Sequence, residues 1–171
     1  GVSVALLGDL DGDGYGEFAA GAVYSDLGGR DAGCARVFSF AARALTANVL
    51  TISVATGGTQ VLSIDVGPEH AGRSFLLLGS ASGTAPGFKL QGVEVPLRFD
   101  NYTQYTTTNL NSSLLLGSPG TLDALGRGTA RLQLPTGMPA SLVGTTLFHA
   151  AVVYDNKVRL ATNAAPVNLL E

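Results

Sequence analysis

Short apolar runs divided by turn residues fill the chain from Val49 onward: VLTISVA, TQVLSIDV, RSFLLLG, VEVPLRF, SSLLLG, TARLQLP, TLFHAAVVYD, KVRLA and PVNLL. VLSIDV and ARLQLP alternate apolar and polar residues, the period-2 pattern of a half-buried strand. SFLLLG and HAAVVY are continuously apolar, as strands covered on both faces are. Turn signals separate the runs, among them Thr56-Gly57-Gly58, Ser82-Gly83-Thr84, Ala85-Pro86-Gly87, Ser118-Pro119-Gly120 and Asp155-Asn156. No stretch sustains a helical period. Strands at this spacing, with no helices between them, predict an antiparallel β-sandwich of about eight strands over residues 48–171. Just before it, AARALTAN loses the turn glycines and gains alanine, which predicts a linker or short helical turn over 41–47.

The first forty residues have a different texture. Small, apolar, β-prone stretches, GVSVALLG and EFAAGAV, flank the acidic loop GDLDGDGYGEF. Asp9, Asp11 and Asp13 stand at alternate positions, followed by the Tyr15 backbone carbonyl and the Glu17 carboxylate. Carboxylates this close repel one another unless a cation sits among them. The donors are all oxygens in a flexible loop, which suits Ca²⁺ better than Mg²⁺, with its tightly held waters, or zinc, with its nitrogen and sulfur ligands. Gly12 and Gly14 permit the tight positive-φ turns such a loop needs. The beginning follows the EF-hand pattern, but its twelfth position is Ala20 and its flanks are not helical. The spacing therefore predicts a calcium loop set in a β-hairpin. The competing reading is an Asp/Gly-rich surface turn without metal.

The segment GVSVALLGDLDGDGYGEFAAGAVYSDLGGRDAGCARVFSF resembles an FG-GAP repeat, the blade unit of the integrin α-subunit propeller and of many secreted bacterial proteins. Gly1 stands for the G of "FG", and Gly21-Ala22-Val23 stands in place of "GAP". GGRDAGCARVF matches the end of such repeats. The resemblance implies calcium ligands at Asp9, Asp11, Asp13, Tyr15 through its carbonyl, and Glu17. Glu17 replaces the usual Asp, and Val23 replaces the usual Pro. The remainder, through ATGGTQVLSIDVGPEHAGRSFLLLGSASGTAPGF, VPLRFDNYT and GTLDALGRGTARLQLP, resembles a C-terminal sandwich domain of large secreted proteins of planctomycetes and myxobacteria. That likeness implies a secreted β-rich appendage and no particular chemistry. The organisation expected is thus all-β: an FG-GAP unit over 1–40, a linker over 41–47 and a sandwich over 48–171.

Composition narrows the function classes. The chain has 171 residues, 46% of them hydrophobic and only 13% charged, with 23 glycines and no tryptophan. Mean hydropathy is +0.29, yet no run approaches the ~18 uninterrupted apolar residues of a membrane span. A net charge of −3 gives no electrostatic footprint for nucleic acid. Cys34, the single cysteine, permits no internal disulfide and reads as a small strand hydrophobe. His70 and His149 lack a second His or Cys at zinc-ligand spacing. There is no G-x-S-x-G elbow, and GSASGTAPG lacks the Lys-Ser/Thr of a phosphate loop. Asp65, Glu69, Asp100, Asp123 and Asp155 are dispersed, mostly at strand ends, where turn-capping is expected. Asn101-Tyr102-Thr103 and Asn111-Ser112-Ser113 are glycosylation sequons that would mark exposed loops.

One three-stranded blade cannot bury both faces and both edges alone. The expectation is a secreted, extracellular, non-enzymatic calcium-binding protein of structural or adhesive role. Its partners would be copies of itself, assembled into a fibre, together with cell-surface or matrix components. The alternative is a C-terminal piece of a larger secreted β-propeller protein, an adhesin or enzyme whose active part lies upstream. The opening on Gly, with no signal peptide visible, is what a processed chain would show.

Overall fold

A computed structural model describes residues 3–8, 10, 16–26, 28–39 and 44–171. The chain divides into two compact units, Gly1–Ala42 and Arg43–Glu171.

The first unit is an antiparallel meander of β1 (Ser3–Gly8), β2 (Glu17–Ala22) and β3 (Cys34–Ser39), in that spatial order. Leu6 pairs with Phe18 and Phe18 with Phe38, so three bulky side chains form one cross-strand row. The Phe18 and Phe38 rings stack at 5.0 Å. Gly8, at φ 74°, accommodates a register shift in β1 and pairs with Glu17 across the mouth of the acidic loop. The second turn is closed by Asp26, whose Oδ1 accepts the Asp31 amide at 2.8 Å, and by a bond from Gly33 N to Ser25 O at 2.9 Å.

The second unit is a sandwich with an extra layer. Its smaller sheet has β10 (Leu115–Leu116), β12 (Arg127–Leu134), β6 (Gly58–Asp65) and β4 (Leu45–Ala47) side by side. The larger runs β11 (Gly120–Thr121), β7 (Ser74–Ser80), β13 (Thr146–Tyr154), β15 (Ala165–Leu170) and β5 (Thr51–Ser53), with β14 (Val158–Ala161) also on β13. Phe75, Leu77, Leu147, Ala151, Val153, Val167 and Leu169 of the larger sheet meet Leu45, Leu62, Ile64, Leu132 and Leu134 of the smaller in one core. The other face of the larger sheet is covered too. There Leu78, Ala150 and Val152 pack with Val95 and Leu97, under the ribbon of β8 (Phe88–Leu90) and β9 (Val93–Val95). This double burial is why β7 and β13 are written in unbroken apolar residues, whereas β6 and β12, buried on one face, alternate. None of the described helices is long and apolar enough to cross a membrane.

Four features correct the sequence expectation. The second unit has four, six and two strands in its three sheets, hence twelve among the described residues rather than about eight. One pair, β15 with β5, is parallel. The stretch read as a linker over 41–47 ends in β4, whose Leu45 is fully buried. There is also an α-helix, α1 (Asn101–Thr108), where no helical period is visible. Its buried residues are Thr103 and Thr106, and the hydroxyls of Thr106, Thr107 and Thr108 bond back to carbonyls three or four residues earlier. A helix that buries hydroxyls leaves no apolar stripe to read.

Helix α1 has a definite task. β11 covers only Ser74 and Phe75 on the outer edge of β7. Beyond it, side chains meet the edge amides: Leu77 N donates to Ser118 Oγ at 2.8 Å, Gly79 N to Thr106 Oγ1 at 3.1 Å, and Ala81 N to Asp100 Oδ2 at 2.8 Å. Any Cβ at Gly79 would collide with the Tyr102 ring, so glycine is what lets the helix lie there. Asp100 is also the helix N-cap, its Oδ1 accepting Thr103 N at 2.8 Å within a capping box. Its Oδ2 further accepts from Ser80 Oγ, Ser82 N and Ser82 Oγ. Partial desolvation pushes this carboxyl up, but the hydrogen bonds from Ser82, Thr103, Ala81 and Ser80 outweigh it and hold it well below the usual carboxylate range.

Asp100→Ala should therefore lower the unfolding free energy by about 3 kcal/mol, more than the loss of a simple cap, because charged hydrogen bonds are removed as well. Urea denaturation measures it. Since the folded carboxyl binds its proton more weakly than the unfolded one, its contribution is complete above about pH 4 and is lost as the pH falls further. Asp100→Asn should accordingly flatten the acid limb of the stability curve below about pH 4, and an unchanged limb would refute the assignment.

Candidate metal centre

Glu17 begins β2, and its main chain pairs with Gly8 on one side and Ser39 on the other. A carboxylate at an exposed hairpin mouth would ordinarily face water, yet Glu17 is only 4% exposed. Its two oxygens are used unequally. Oε2 accepts the Leu10 backbone amide at 2.6 Å, a bond that reaches back across the acidic loop. Oε1 is buried and has no hydrogen-bond partner among the described residues. No described arginine or lysine forms an ion pair with it. A buried carboxylate oxygen with neither donor nor counter-charge is costly and calls for a positive group.

Asp9, Asp11, Asp13 and Tyr15 lie outside the described residues. By chain position all four fall between Gly8 and Glu17, which are paired with each other across β1 and β2. Among the described residues no three His, Cys, Asp or Glu side chains come together in a metal-holding group. Glu17 fits the ligand role on its own evidence, an orphaned oxygen at the base of a carboxylate-rich loop. A Ca²⁺ held by Asp9, Asp11, Asp13, the Tyr15 carbonyl and Glu17 would supply the missing charge.

The other acidic residues have structural employment. Asp65 pairs with Arg127 at 2.9 Å. Asp123 Oδ1 accepts the amides of Leu125 and Arg127 and so shapes the turn into β12. Asp155 holds Arg159 at 2.7 Å and Arg73 at 3.5 Å, and its hydrogen bond from Arg159 keeps its carboxyl down at about 2. Glu69 stands 3.8 Å from His70, whose Nδ1 meets Arg73 at 2.6 Å. Cys34 is half-buried at the start of β3. Asn101 and Asn111 are exposed, but Thr103 of the first sequon is completely buried in α1.

No family model, curated protein or solved structure matches the chain. The site must be judged on its own residues.

His149, which its apolar run LFHAAV marks as a core or sheet-face histidine, is a second buried ionisable side chain among the described residues. It lies on the inner face of β13, fully buried, with Nε2 2.9 Å from the hydroxyl of Tyr102 on α1. The two rings meet edge to face at 5.7 Å. Nδ1 has no partner among the described residues. Burial alone pushes the His149 pKa down to about 4, while burial first and then the charges of Tyr105 and Asp100 raise that of Tyr102, so both are neutral at pH 7. Sequence gave no sign of the pair, because Tyr102 and His149 are far apart along a chain whose helix was invisible. A histidine that folds neutral must take up a charge to stay in equilibrium with acid solution, so its site favours the unfolded state as pH falls from about 6.5 towards 4. Across that window wild-type stability should fall by roughly 1 kcal/mol per pH unit more than that of His149→Gln, read from urea midpoints at matched pH. Parallel pH profiles for the two proteins would rule the buried neutral histidine out.

Proposed function

We propose that this chain is a secreted, non-enzymatic calcium-binding protein of structural or adhesive role, with an FG-GAP-like first unit that binds the ion. The observation that carries the reading is Glu17: buried, tied to Leu10 through one oxygen, and left with its other oxygen unpartnered beside three more carboxylates in sequence. The ion organises the loop, since carboxylates left uncompensated would force the hairpin mouth apart. The unit then serves as a contact module between neighbouring copies in an extracellular fibre. Support for that role comes from its edges: β1 and β3 flank a sheet of only three strands, and Val4 and Leu6 on β1 are 70% and 82% exposed. Neither edge strand carries the lysine or proline that commonly blocks strand pairing. Cell-surface or matrix components are the further partners of such an assembly.

A second reading rests on the same exposure. Apolar residues on both sides of a three-stranded sheet are also what further repeats of a longer propeller would cover. In that case the chain is the C-terminal part of a larger secreted protein whose active part lies upstream.

Calorimetric titration of the chain with CaCl₂ tests the shared element of both readings. One site should be filled, with binding abolished in Asp11→Ala and weakened at least tenfold in Glu17→Gln, which keeps the Leu10 bond but removes the charge. Absence of heat at millimolar calcium, or an undiminished Glu17→Gln, would end the proposal.

A further inference from the structure

The segment that carries α1 is held to the sandwich mostly by polar contacts. Leu97 and Leu115, on either side of it, are fully buried. Of the helix's own side chains only Tyr102 packs on the apolar core, and its fully buried residues are the threonines 103 and 106. Phe99 and Leu110, just outside the helix, are 59% and 50% exposed. The remaining ties are hydrogen bonds: Thr106 takes the Gly79 amide, Asp100 takes Ser80 Oγ and the Ala81 amide, and Tyr102 meets His149. Main-chain bonds fix the segment at both ends, from Arg98 N to Gly83 O at 2.8 Å and from Asn111 N to Ser118 O. A helix of threonines, tyrosines and asparagine is a poor one by propensity, and an element that buries little apolar surface opens locally before the rest of its domain.

We propose that α1 is an acid-released strap, which lifts from the edge of β7 as the pH falls while the two sheets stay folded. Two of its docking groups change charge in the sense that opposes docking. His149 spends Nε2 on Tyr102, and its buried Nδ1 has no partner among the described residues. An imidazolium there would hold a charge and an N–H with no acceptor. The surroundings supply no counter-charge. Opposite His149, β7 sets Gly79 and β15 sets Ala165. The smaller sheet adds aliphatic side chains and the neutral Gln60 to the core, and β14 commits Arg159 to Asp155. From α1 come Tyr102 and, stacked on it at 6.3 Å, Tyr105, with Asp100 at the cap. No described carboxylate forms an ion pair with His149. Lifting the strap brings the imidazole to water, where it takes its proton. Asp100 acts in the same sense in stronger acid, since a protonated carboxyl gives up acceptor capacity to the donors it gathers. Once the strap is off, the Gly79 and Ala81 amides stand open at alternate positions, as on an uncovered strand edge.

Amide hydrogen exchange of the full chain, followed residue by residue by NMR at about pH 7 and about pH 4.5, is the test. At both pH values Gly79 and Ala81 should exchange through a larger opening constant than the amides of the β6–β12 ladder. Between the two, after correction for intrinsic exchange rates, their opening constant should rise on the order of a hundredfold. That factor follows from an imidazole titrating near ~6.5 when released and at about 4 when docked. His149→Gln should cancel the rise, whereas Tyr102→Phe should loosen the edge at pH 7 and keep the rise. Should either variant fail to fold, the wild-type comparison of edge with ladder decides alone. Edge amides that open no more often than the ladder would mean that α1 leaves only with the whole sandwich, and would overturn the strap. Local opening with no acid rise, or with a rise that survives in His149→Gln, would overturn its release by protonation. Neither result bears on the calcium reading, which concerns the first unit.

Discussion

Every strand at the edge of a sheet presents amides and carbonyls that need partners, and the two units meet that demand in opposite ways. In the second unit side chains finish what strands begin. Ser118, Thr106 and Asp100 continue the edge of β7 where β11 stops. Asn163 does the same for β4, its amide accepting from Leu45 N and donating to Leu45 O, both at 3.0 Å. Thr162 fills the gap between β14 and β15 by accepting the Ala151 amide at 2.9 Å. The sandwich therefore reaches a closed state with very short edge strands. The first unit has three strands and, among the described residues, no such side-chain cover on β1.

Buried polar groups tie the layers of the sandwich together, and they do so at some cost. Gln60, fully buried in β6, donates to Val49 O at 2.8 Å and to Pro166 O at 2.9 Å, so one amide links the smaller sheet to the larger. Pro166 cannot donate, which leaves its carbonyl as its only main-chain hydrogen-bonding group. His149 and Tyr102 join helix to sheet in the same way. In each case one polar atom, Gln60 Oε1 or His149 Nδ1, is left over among the described residues. Such groups contribute less to stability than to register, since a wrong alignment would leave two atoms unpaired instead of one. Glu17 differs in kind, because the atom left over belongs to a carboxylate.

What could be read from sequence followed burial on a regular period. Runs covered on one face alternate and runs covered on both do not, so β6, β7, β12 and β13 announce themselves. Elements fixed by polar contacts stayed hidden. Helix α1 buries threonines, β4 lies in an alanine-rich stretch, and β8 and β11 are too short to show any period. The parallel placement of β5 against β15 depends on residues more than a hundred positions apart, beyond the reach of a local pattern. In the acidic loop, spacing singles out Glu17 as a candidate ligand, but its burial and the division of labour between its oxygens are tertiary facts. Asp100 could have been caught. An Asp followed three residues later by Thr is a helix start signal, obscured here by a Thr-rich continuation of weak helix propensity.

The parallel pair of β15 and β5 also sets a timetable. Leu169 pairs with Ile52, and the Leu170 carbonyl accepts the Val54 amide at 2.8 Å, so the last strand completes the edge that one of the first strands began. Val167 and Leu169 are core residues, and the central strand β13 lacks one neighbour until β15 arrives. Contacts of such long sequence separation form late and fold slowly. A ribosome must therefore finish nearly the whole chain before the sandwich can close.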